Sequence, residues 1–144
     1  MDRPLRVLIA EDDELGARTL ASLLAADGHR PQIVHDGRRA IERLKSEPFD
    51  LLITDIYMPD MDGIELLRTL RRSMEPPPII AISGGGRTVQ VDYLDLAKRL
   101  GAAQVLRKPF TRRVLVAAIR AAMREPDEAT SMPGAPGGAS DESP

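Results

Sequence analysis

Side chains that can do chemistry stand at the ends of four short apolar runs in this sequence of 144 residues. Three acids at residues 11–13 follow the first run, and Asp55, Ser83 and Lys108 follow three others. Clustered carboxylates repel one another, and Mg²⁺ relieves that repulsion by binding carboxylates together with water and phosphate oxygens. Phosphoryl transfer needs an in-line nucleophile and neutralisation of charge. We therefore predict that Asp55 accepts a phosphoryl group, with Mg²⁺ and Lys108 neutralising charge and Ser83 donating a hydrogen bond.

Five apolar runs have the length of β-strands, and the segments between them carry apolar residues at helical spacing. The runs are residues 5–10, 30–34, 50–54, 78–82 and 103–106. Three of them are continuously apolar, as is typical of parallel strands buried on both faces. Strict alternation of strand and helix predicts a doubly wound α/β domain, in which five helices cover a five-stranded parallel sheet.

The carboxyl ends of the strands in such a fold would bring the acids together. Ligands of doubly wound domains bind beyond the carboxyl ends of the strands. If the first strand lies beside the third, the carboxylates of Glu11, Asp12 and Asp55 converge there. Residues 62–65, Asp-Gly-Ile-Glu, have the pattern of a capping box and so predict the start of the helix after the third strand.

Composition excludes several classes of function. The chain has no cysteine, which excludes disulfides, thiolate catalysis and cysteine-ligated zinc and agrees with a reducing compartment, so we expect a cytoplasmic location. No apolar stretch approaches the length of a membrane span. Arginine pairs alternate with acids rather than forming a basic stripe, so we expect no binding to nucleic acid.

Charge is distributed unevenly along the chain. Residues 1–124 contain all 20 lysines and arginines and 17 acids, whereas residues 125–144 contain five acids and no base. The latter segment is rich in Pro, Gly, Ser and Ala and has almost nothing to bury. We predict one folded domain over residues 1–124, followed by a disordered acidic tail over residues 125–144.

The motifs at the strand ends resemble the receiver domains of two-component response regulators, over roughly residues 4–124. Residues 7–13, Val-Leu-Ile-Ala-Glu-Asp-Asp, are similar to the family's first strand and acidic pair, and residues 54–63, Thr-Asp-Ile-Tyr-Met-Pro-Asp-Met-Asp-Gly, to its phosphoacceptor segment. Residues 81–83 match its switch Ser/Thr position, and residues 108–110 its Lys-Pro-Phe. The resemblance implies a flavodoxin-like sheet with strand order 2-1-3-4-5.

The resemblance also implies which of the residues around Asp55 would bind Mg²⁺. Asp12 would bind Mg²⁺ directly and Glu11 through water, which leaves Asp13 as the cap of the following helix. The backbone carbonyl of Tyr57 would complete the metal shell.

Two further positions bear on how a member of this family would signal. The Lys108–Pro109 peptide bond would be cis, and Val105 stands where many receivers carry a switch aromatic on the fifth strand. Because valine cannot make the aromatic's inward swing, we hypothesise that the signal passes through ordering of residues 83–88 and of the start of the fourth helix. Gly85 offers no side chain to orient water, so we also predict slow self-dephosphorylation.

These residues predict a stand-alone receiver that catalyses only its own phosphorylation and dephosphorylation and is otherwise not an enzyme. The phosphodonor would be a sensor histidine kinase, a phosphotransfer protein or a small molecule such as acetyl phosphate. The two states would differ in affinity for a downstream protein. That partner would dock on the face formed by the fourth helix, fifth strand and fifth helix, around Lys98, Arg107 and Arg112.

Each feature also has a simpler interpretation. Acids after a strand are often helix caps, a serine there is often a turn residue, and a lone lysine is usually solvated. Two other functions remain open. One is a phosphorylation-independent binding module with the same fold. The other is an aspartyl-phosphate hydrolase, which would need an aspartate at the position of Tyr57.

Overall fold

A parallel sheet of five strands flanked by five helices makes up the described part of this computed structural model, residues 3–58, 61–84 and 91–124. The strands are β1 (Arg6–Ala10), β2 (Arg30–Val34), β3 (Leu51–Asp55), β4 (Ile79–Ser83) and β5 (Gln104–Arg107). The helices are α1 (Glu14–Ala26), α2 (Gly37–Ser46), α3 (Gly63–Ser73), α4 (Val91–Arg99) and α5 (Arg112–Ala122). The strand order is β2-β1-β3-β4-β5, which confirms the predicted fold class.

Three predictions fall at least partly outside the described residues. They are the acidic tail at residues 125–144, the role of Gly85, and the switch segment beyond Gly84.

Strands β3, β4 and β5 each end one residue later than the apolar runs predicted. Asp55 pairs with Ile82 across the sheet, and Ser83 pairs with Arg107. Strand ends are set by hydrogen bonding to the neighbouring strand, not by apolar character, so polar residues can close a strand. Two of the chemically active side chains are therefore held by the sheet itself rather than by the loops that follow it.

Two apolar layers hold the helices against the sheet. Helices α2, α3 and α4 pack on one face through residues such as Leu44, Leu67 and Ala97. Helices α1 and α5 pack on the other face through residues such as Leu24 and Leu115. The strand residues alternate between the two layers, as expected of a sheet covered on both faces. Among the described residues, no helix combines the length and the apolar character needed to cross a membrane.

Side-chain caps begin α1 and α3, the helices that follow β1 and β3. The Asp13 carboxylate accepts a hydrogen bond from the backbone N–H of Gly16 at 2.9 Å, which confirms Asp13 as the cap of α1. Asp62 caps α3 in the same way through the N–H of Glu65, at 2.9 Å. Each cap fixes where the chain turns from the carboxyl edge of the sheet into a helix.

Gly63 allows α3 to begin directly against the end of β3. Its N–H donates to the Ile56 carbonyl at 2.8 Å. A Cβ atom at this position would overlap the backbone carbonyl oxygen of Asp55 and lie 2.7 Å from the Ile56 Cα. Since these neighbours are backbone atoms, they cannot rotate away, and only glycine fits this approach.

We expect Gly63→Ala to lower the free energy of unfolding by about 1–3 kcal/mol, because the added methyl group forces the backbone around Asp55 and Ile56 to shift. Urea denaturation would measure the change. Gly84→Ala is the matched control, since its Cβ would meet nothing within 4 Å. Equal stability of the two variants would contradict this account of the α3 junction.

Candidate phosphoacceptor and metal site

The register of the sheet brings the candidate residues to one edge. Ala10 pairs with Thr54, so Glu11 and Asp55 lie side by side where β1 and β3 end. The backbone N–H of Lys108 donates to the Ser83 carbonyl at 2.8 Å, which places Lys108 beside the end of β4. Residues far apart in the sequence thus meet at the carboxyl edge, as the fold rule predicted.

Glu11 is a buried carboxylate with a partner on each oxygen. Its Oε1 accepts from the Lys108 ammonium at 2.8 Å, and its Oε2 accepts from the backbone N–H of Asp13 at 3.0 Å. The residue is only 5% exposed. A buried charge needs such partners, so Glu11 and Lys108 position each other.

Asp55 is also buried, but its charge is poorly compensated. The backbone N–H of Tyr57 donates to Oδ1 at 3.1 Å, and the Lys108 Nζ lies 3.8 Å from Oδ2, near the outer limit of an ion pair. Burial, followed by repulsion from the Glu11 carboxylate, raises the pKa of Asp55 to about 7. At neutral pH the carboxylate is therefore poised between its protonated and ionised forms.

Lys108 stays charged beside the two acids. Burial would lower the pKa of the ammonium group, but the hydrogen bond to Glu11 and the charges of Asp55 and Glu11 outweigh burial and raise that pKa above its ordinary value. A compact, charged ammonium at this rim can bind a carboxylate or a phosphoryl oxygen.

The donor set fits a magnesium ion. Glu11, Asp12 and Asp55 each offer one carboxylate oxygen, and these atoms lie within 4.8 Å of one another. Burial and the neighbouring Glu11 carboxylate disfavour the ionised form of Asp55 and raise its pKa, and a divalent cation bound there would favour the ionised form. Asp13 is not part of this group, because its carboxylate caps α1. The geometry thus separates Asp12 from Asp13, which the sequence could not do except by resemblance.

The family model of the response regulator receiver domain matches residues 7–120 of the chain. The chain belongs to the response regulator receiver family. The family assignment made from the motifs is therefore confirmed: the chain contains a receiver domain of the kind found in two-component response regulators.

Curated relatives of this receiver include two longer regulators. It is 36% identical over 119 residues to the transcriptional regulatory protein CpxR of Escherichia coli K12, covering 83% of this chain and 49% of that protein. It is 34% identical over 130 residues to the response regulator MprA of Mycobacterium ulcerans, covering 87% and 54%. The chain therefore spans about half the length of these curated relatives.

Solved structures agree with the fold. The crystal structure of FixJ-N superposes with a TM-score of 0.77 at 31% identity and covers 85% of this chain and 95% of its own. A sensor protein from Polaromonas sp. JS666 superposes with a TM-score of 0.74 at 30% identity, covering 85% and 97%.

Three other predicted positions of the receiver lie where the motifs placed them. Ser83 closes β4 and is 1% exposed, and its hydroxyl lies 3.5 Å from the Gly84 carbonyl. The Lys108–Pro109 peptide bond is cis. Val105 lies on β5 opposite Ala81 and packs against the apolar layer of α2, α3 and α4.

Arg112 differs from the prediction for the partner-docking face. Its guanidinium donates to Asp27, at the end of α1, at 2.5 Å. The side chain therefore reaches toward the end of α1, although it stays largely exposed, and its part in partner docking stays a prediction. Sequence spacing alone does not show which neighbouring helix an arginine contacts.

Sequence reasoning missed His35 as a supporting residue. It follows β2, and its Nδ1 lies 3.0 Å from the backbone carbonyl of Glu11. Since a carbonyl can only accept, Nδ1 carries the proton and donates. His35 thereby holds the backbone of the residue that pairs with Lys108. Its position directly after a strand next to β1 was the available signal.

Proposed function

We propose that this receiver accepts a phosphoryl group on Asp55 in a Mg²⁺-dependent reaction, and that phosphorylation changes its affinity for a partner protein. Beyond this self-phosphorylation and the later hydrolysis, we expect no enzymatic activity. We expect the protein to act in the cytoplasm, where a histidine kinase or small phosphodonors would supply the phosphoryl group.

One observation carries the proposal: of the two buried acids in the cluster, Asp55 is the one that lies farther from the Lys108 ammonium. Lys108 lies 2.8 Å from Glu11 but 3.8 Å from Asp55. The carboxylate of Asp55 thus makes only a long ion pair with Lys108 at the carboxyl edge, whereas the short ion pair holds Glu11. Its position beside both acids and the lysine supplies what phosphoryl transfer requires.

In the reaction, a carboxylate oxygen of Asp55 attacks phosphorus. The bond from phosphorus to the nitrogen of a phosphohistidine, or to the bridging oxygen of acetyl phosphate, breaks, and the leaving group keeps the electron pair. Lys108 donates to a phosphoryl oxygen, and the Tyr57 N–H orients the Asp55 carboxylate. Mg²⁺ held by Glu11, Asp12, Asp55 and the Tyr57 carbonyl would neutralise the carboxylates and the phosphoryl oxygens.

Exposed apolar side chains support a protein phosphodonor. Among the described residues, three large apolar side chains are exposed: Leu15, Tyr57 and Val114. They stand in the first turn of α1, the loop after β3 and the first turn of α5, all at the carboxyl edge around Asp55. Apolar groups around a reactive centre favour docking of another protein there. A histidine kinase or phosphotransfer protein would bind this rim.

The outgoing signal would use a different surface. Lys98 on α4 and Arg107 on β5 are both exposed, and we propose that the downstream partner docks on the face formed by α4, β5 and α5. Val105, which lies beneath that face, cannot act as an aromatic switch.

Intact-mass analysis tests the proposal. After incubation with acetyl phosphate and Mg²⁺, we expect one phosphoryl adduct on the wild type and none on Asp55→Asn, because the amide is not a nucleophile here. Asp95→Asn is the control, since Asp95 is an exposed acid on α4, and it should still form the adduct. EDTA should prevent the reaction.

Two outcomes would reject the proposal in different ways. An adduct on Asp55→Asn would move the acceptor to another residue. No adduct on the wild type, from acetyl phosphate or from any phosphorylated histidine donor, would instead favour the phosphorylation-independent binding module.

A further inference from the structure

The end of β2 holds the backbone of Glu11 through both its N–H and its carbonyl. The Glu11 N–H donates to the Val34 carbonyl at 3.0 Å, and the Glu11 carbonyl accepts from Nδ1 of the His35 ring, also at 3.0 Å. Strand β2 ends at Val34, and among the described residues no backbone N–H donates to the Glu11 carbonyl. The imidazole therefore takes the place of the next backbone donor along the ladder between β1 and β2.

The backbone on either side of His35 is fixed. Val34, the residue before it, pairs with Ala10 across the sheet. Asp36, the residue after it, caps α2 by accepting from the Arg39 N–H at 2.8 Å. Although His35 is exposed to solvent, a strand end and a helix cap restrict its backbone, so its ring donates from a defined position.

The peptide that His35 holds joins two acids of the candidate metal site. The Glu11 carbonyl and the Asp12 nitrogen belong to one planar peptide unit. Fixing the direction of that carbonyl therefore also fixes the plane from which Asp12 extends.

Asp12 is the acid of the cluster that depends most on this peptide. The carboxylates of Glu11 and Asp55 each accept a hydrogen bond from a backbone N–H, at 3.0 Å and 3.1 Å. Asp12 is exposed, and no residue in the described part of the chain forms a hydrogen bond or an ion pair with its carboxylate. The position of the Asp12 carboxylate is therefore set through its backbone.

We propose that His35 is a positioning residue for the metal: by fixing the peptide between Glu11 and Asp12, it sets how tightly the acidic cluster binds Mg²⁺. The inference rests on the proposed function, which places Mg²⁺ between these two acids and Asp55. Mg²⁺ demands near-ideal octahedral geometry, whereas Ca²⁺ accepts flexible geometry. Loss of the His35 hydrogen bond therefore weakens the binding of Mg²⁺ more than the binding of Ca²⁺.

Titration of the full chain with Mg²⁺ or with Ca²⁺ at a fixed pH, followed through the amide resonances of Asp12 and Asp13, tests the proposal. His35→Leu removes the donor, and we expect the Mg²⁺ dissociation constant to rise about 3- to 10-fold, the usual effect of losing one hydrogen bond. The Ca²⁺ dissociation constant should rise less. His35→Asn keeps an N–H donor near the position of Nδ1 and should retain most of the wild-type Mg²⁺ affinity.

His29→Leu is the matched control. Nδ1 of His29 accepts from the Leu5 backbone N–H at 3.1 Å, so this variant also loses one hydrogen bond between a histidine ring and the backbone. His29 directly precedes β2 and so lies at the edge of the sheet opposite Asp55. We expect both dissociation constants to stay at their wild-type values, even if urea denaturation shows a lower free energy of unfolding.

The possible outcomes separate this inference from the proposed function. If the wild type binds Mg²⁺ and His35→Leu binds it equally well, His35 does not position the metal, whereas the metal site stands. Equal weakening of Mg²⁺ and Ca²⁺ binding, or Mg²⁺ binding weakened as much in His35→Asn or His29→Leu as in His35→Leu, would also overturn the inference, because each result indicates a general loss of structure. A wild type that binds no Mg²⁺ at the acidic cluster would overturn the metal site and the inference together.

Discussion

Asp55→Asn should stabilise the metal-free protein at neutral pH, although it removes the proposed phosphoacceptor. Burial and the neighbouring Glu11 raise the pKa of Asp55 to about 7, so its ionised form is unfavourable in the folded state. Asparagine keeps the shape and carries no charge. At about 1.4 kcal/mol per pKa unit, the rise from the ordinary value of 3.8 corresponds to about 4 kcal/mol.

The sign of the pH dependence follows from proton binding. Between about pH 4 and pH 7 the folded protein holds a proton on Asp55 that the unfolded chain has released. The wild-type free energy of unfolding therefore falls as pH rises through this window, whereas the asparagine of the variant contributes no such change. We expect the advantage of the variant to grow from about 1–2 kcal/mol near pH 5 to about 4 kcal/mol near pH 8.

Urea denaturation in EDTA across this pH range would measure the difference, with Asp95→Asn as the control for loss of an exposed acid. Mg²⁺ should then stabilise the wild type more than Asp55→Asn, because the variant lacks one carboxylate ligand. If the difference in free energy of unfolding between the wild type and Asp55→Asn did not vary with pH, the pKa of Asp55 would not be raised in the folded protein.

Lys108→Met should slow phosphorylation of Asp55 by about 100-fold or more, the usual effect of removing one preorganised group that stabilises charge in a transition state. Methionine retains the length of the side chain but has no ammonium to donate to a phosphoryl oxygen. A time course of adduct formation with acetyl phosphate at saturating Mg²⁺ would measure the rate. Lys45→Met, which replaces an exposed lysine on α2, should leave it unchanged.

The same variant of Lys108 should bind Mg²⁺ more tightly. The Lys108 ammonium holds Oε1 of Glu11 at 2.8 Å, so it competes with a cation for that carboxylate. Tighter Mg²⁺ binding together with a slower reaction would separate loss of transition-state stabilisation from loss of the metal. A rate equal to that of the wild type would remove Lys108 from the reaction.

Much of the site was predictable because parallel strands place their carboxyl ends at one edge. Once the apolar runs were assigned to alternating strands and helices, the positions of Glu11, Asp55, Ser83 and Lys108 followed from strand order alone. The resemblance implied the cap at Asp13, and the structure agrees, since the first N–H groups of a helix need an acceptor and the Asp13 carboxylate supplies one.

Contacts between side chains of different helices and strands were harder to predict from the sequence. Arg112 reaches Asp27 of α1, and His35 supports Glu11, through side-chain directions that depend on how the elements pack. A cleft of about 1020 Å³ likewise combines residues from α5, the turn after α1 and the segment before β1, which no local pattern connects.

The sequence by itself determined which residue types stand at which strand ends, and hence the fold, the family and the candidate phosphoacceptor, because periodicity and motifs are local properties of the chain. Only the tertiary structure decided how charge is shared around Asp55. The Lys108 ammonium lies closer to Glu11 than to Asp55, and that difference of 2.8 Å against 3.8 Å depends on register and burial. Burial and the neighbouring Glu11 carboxylate, which also depend on the packing of the elements, give Asp55 its raised pKa.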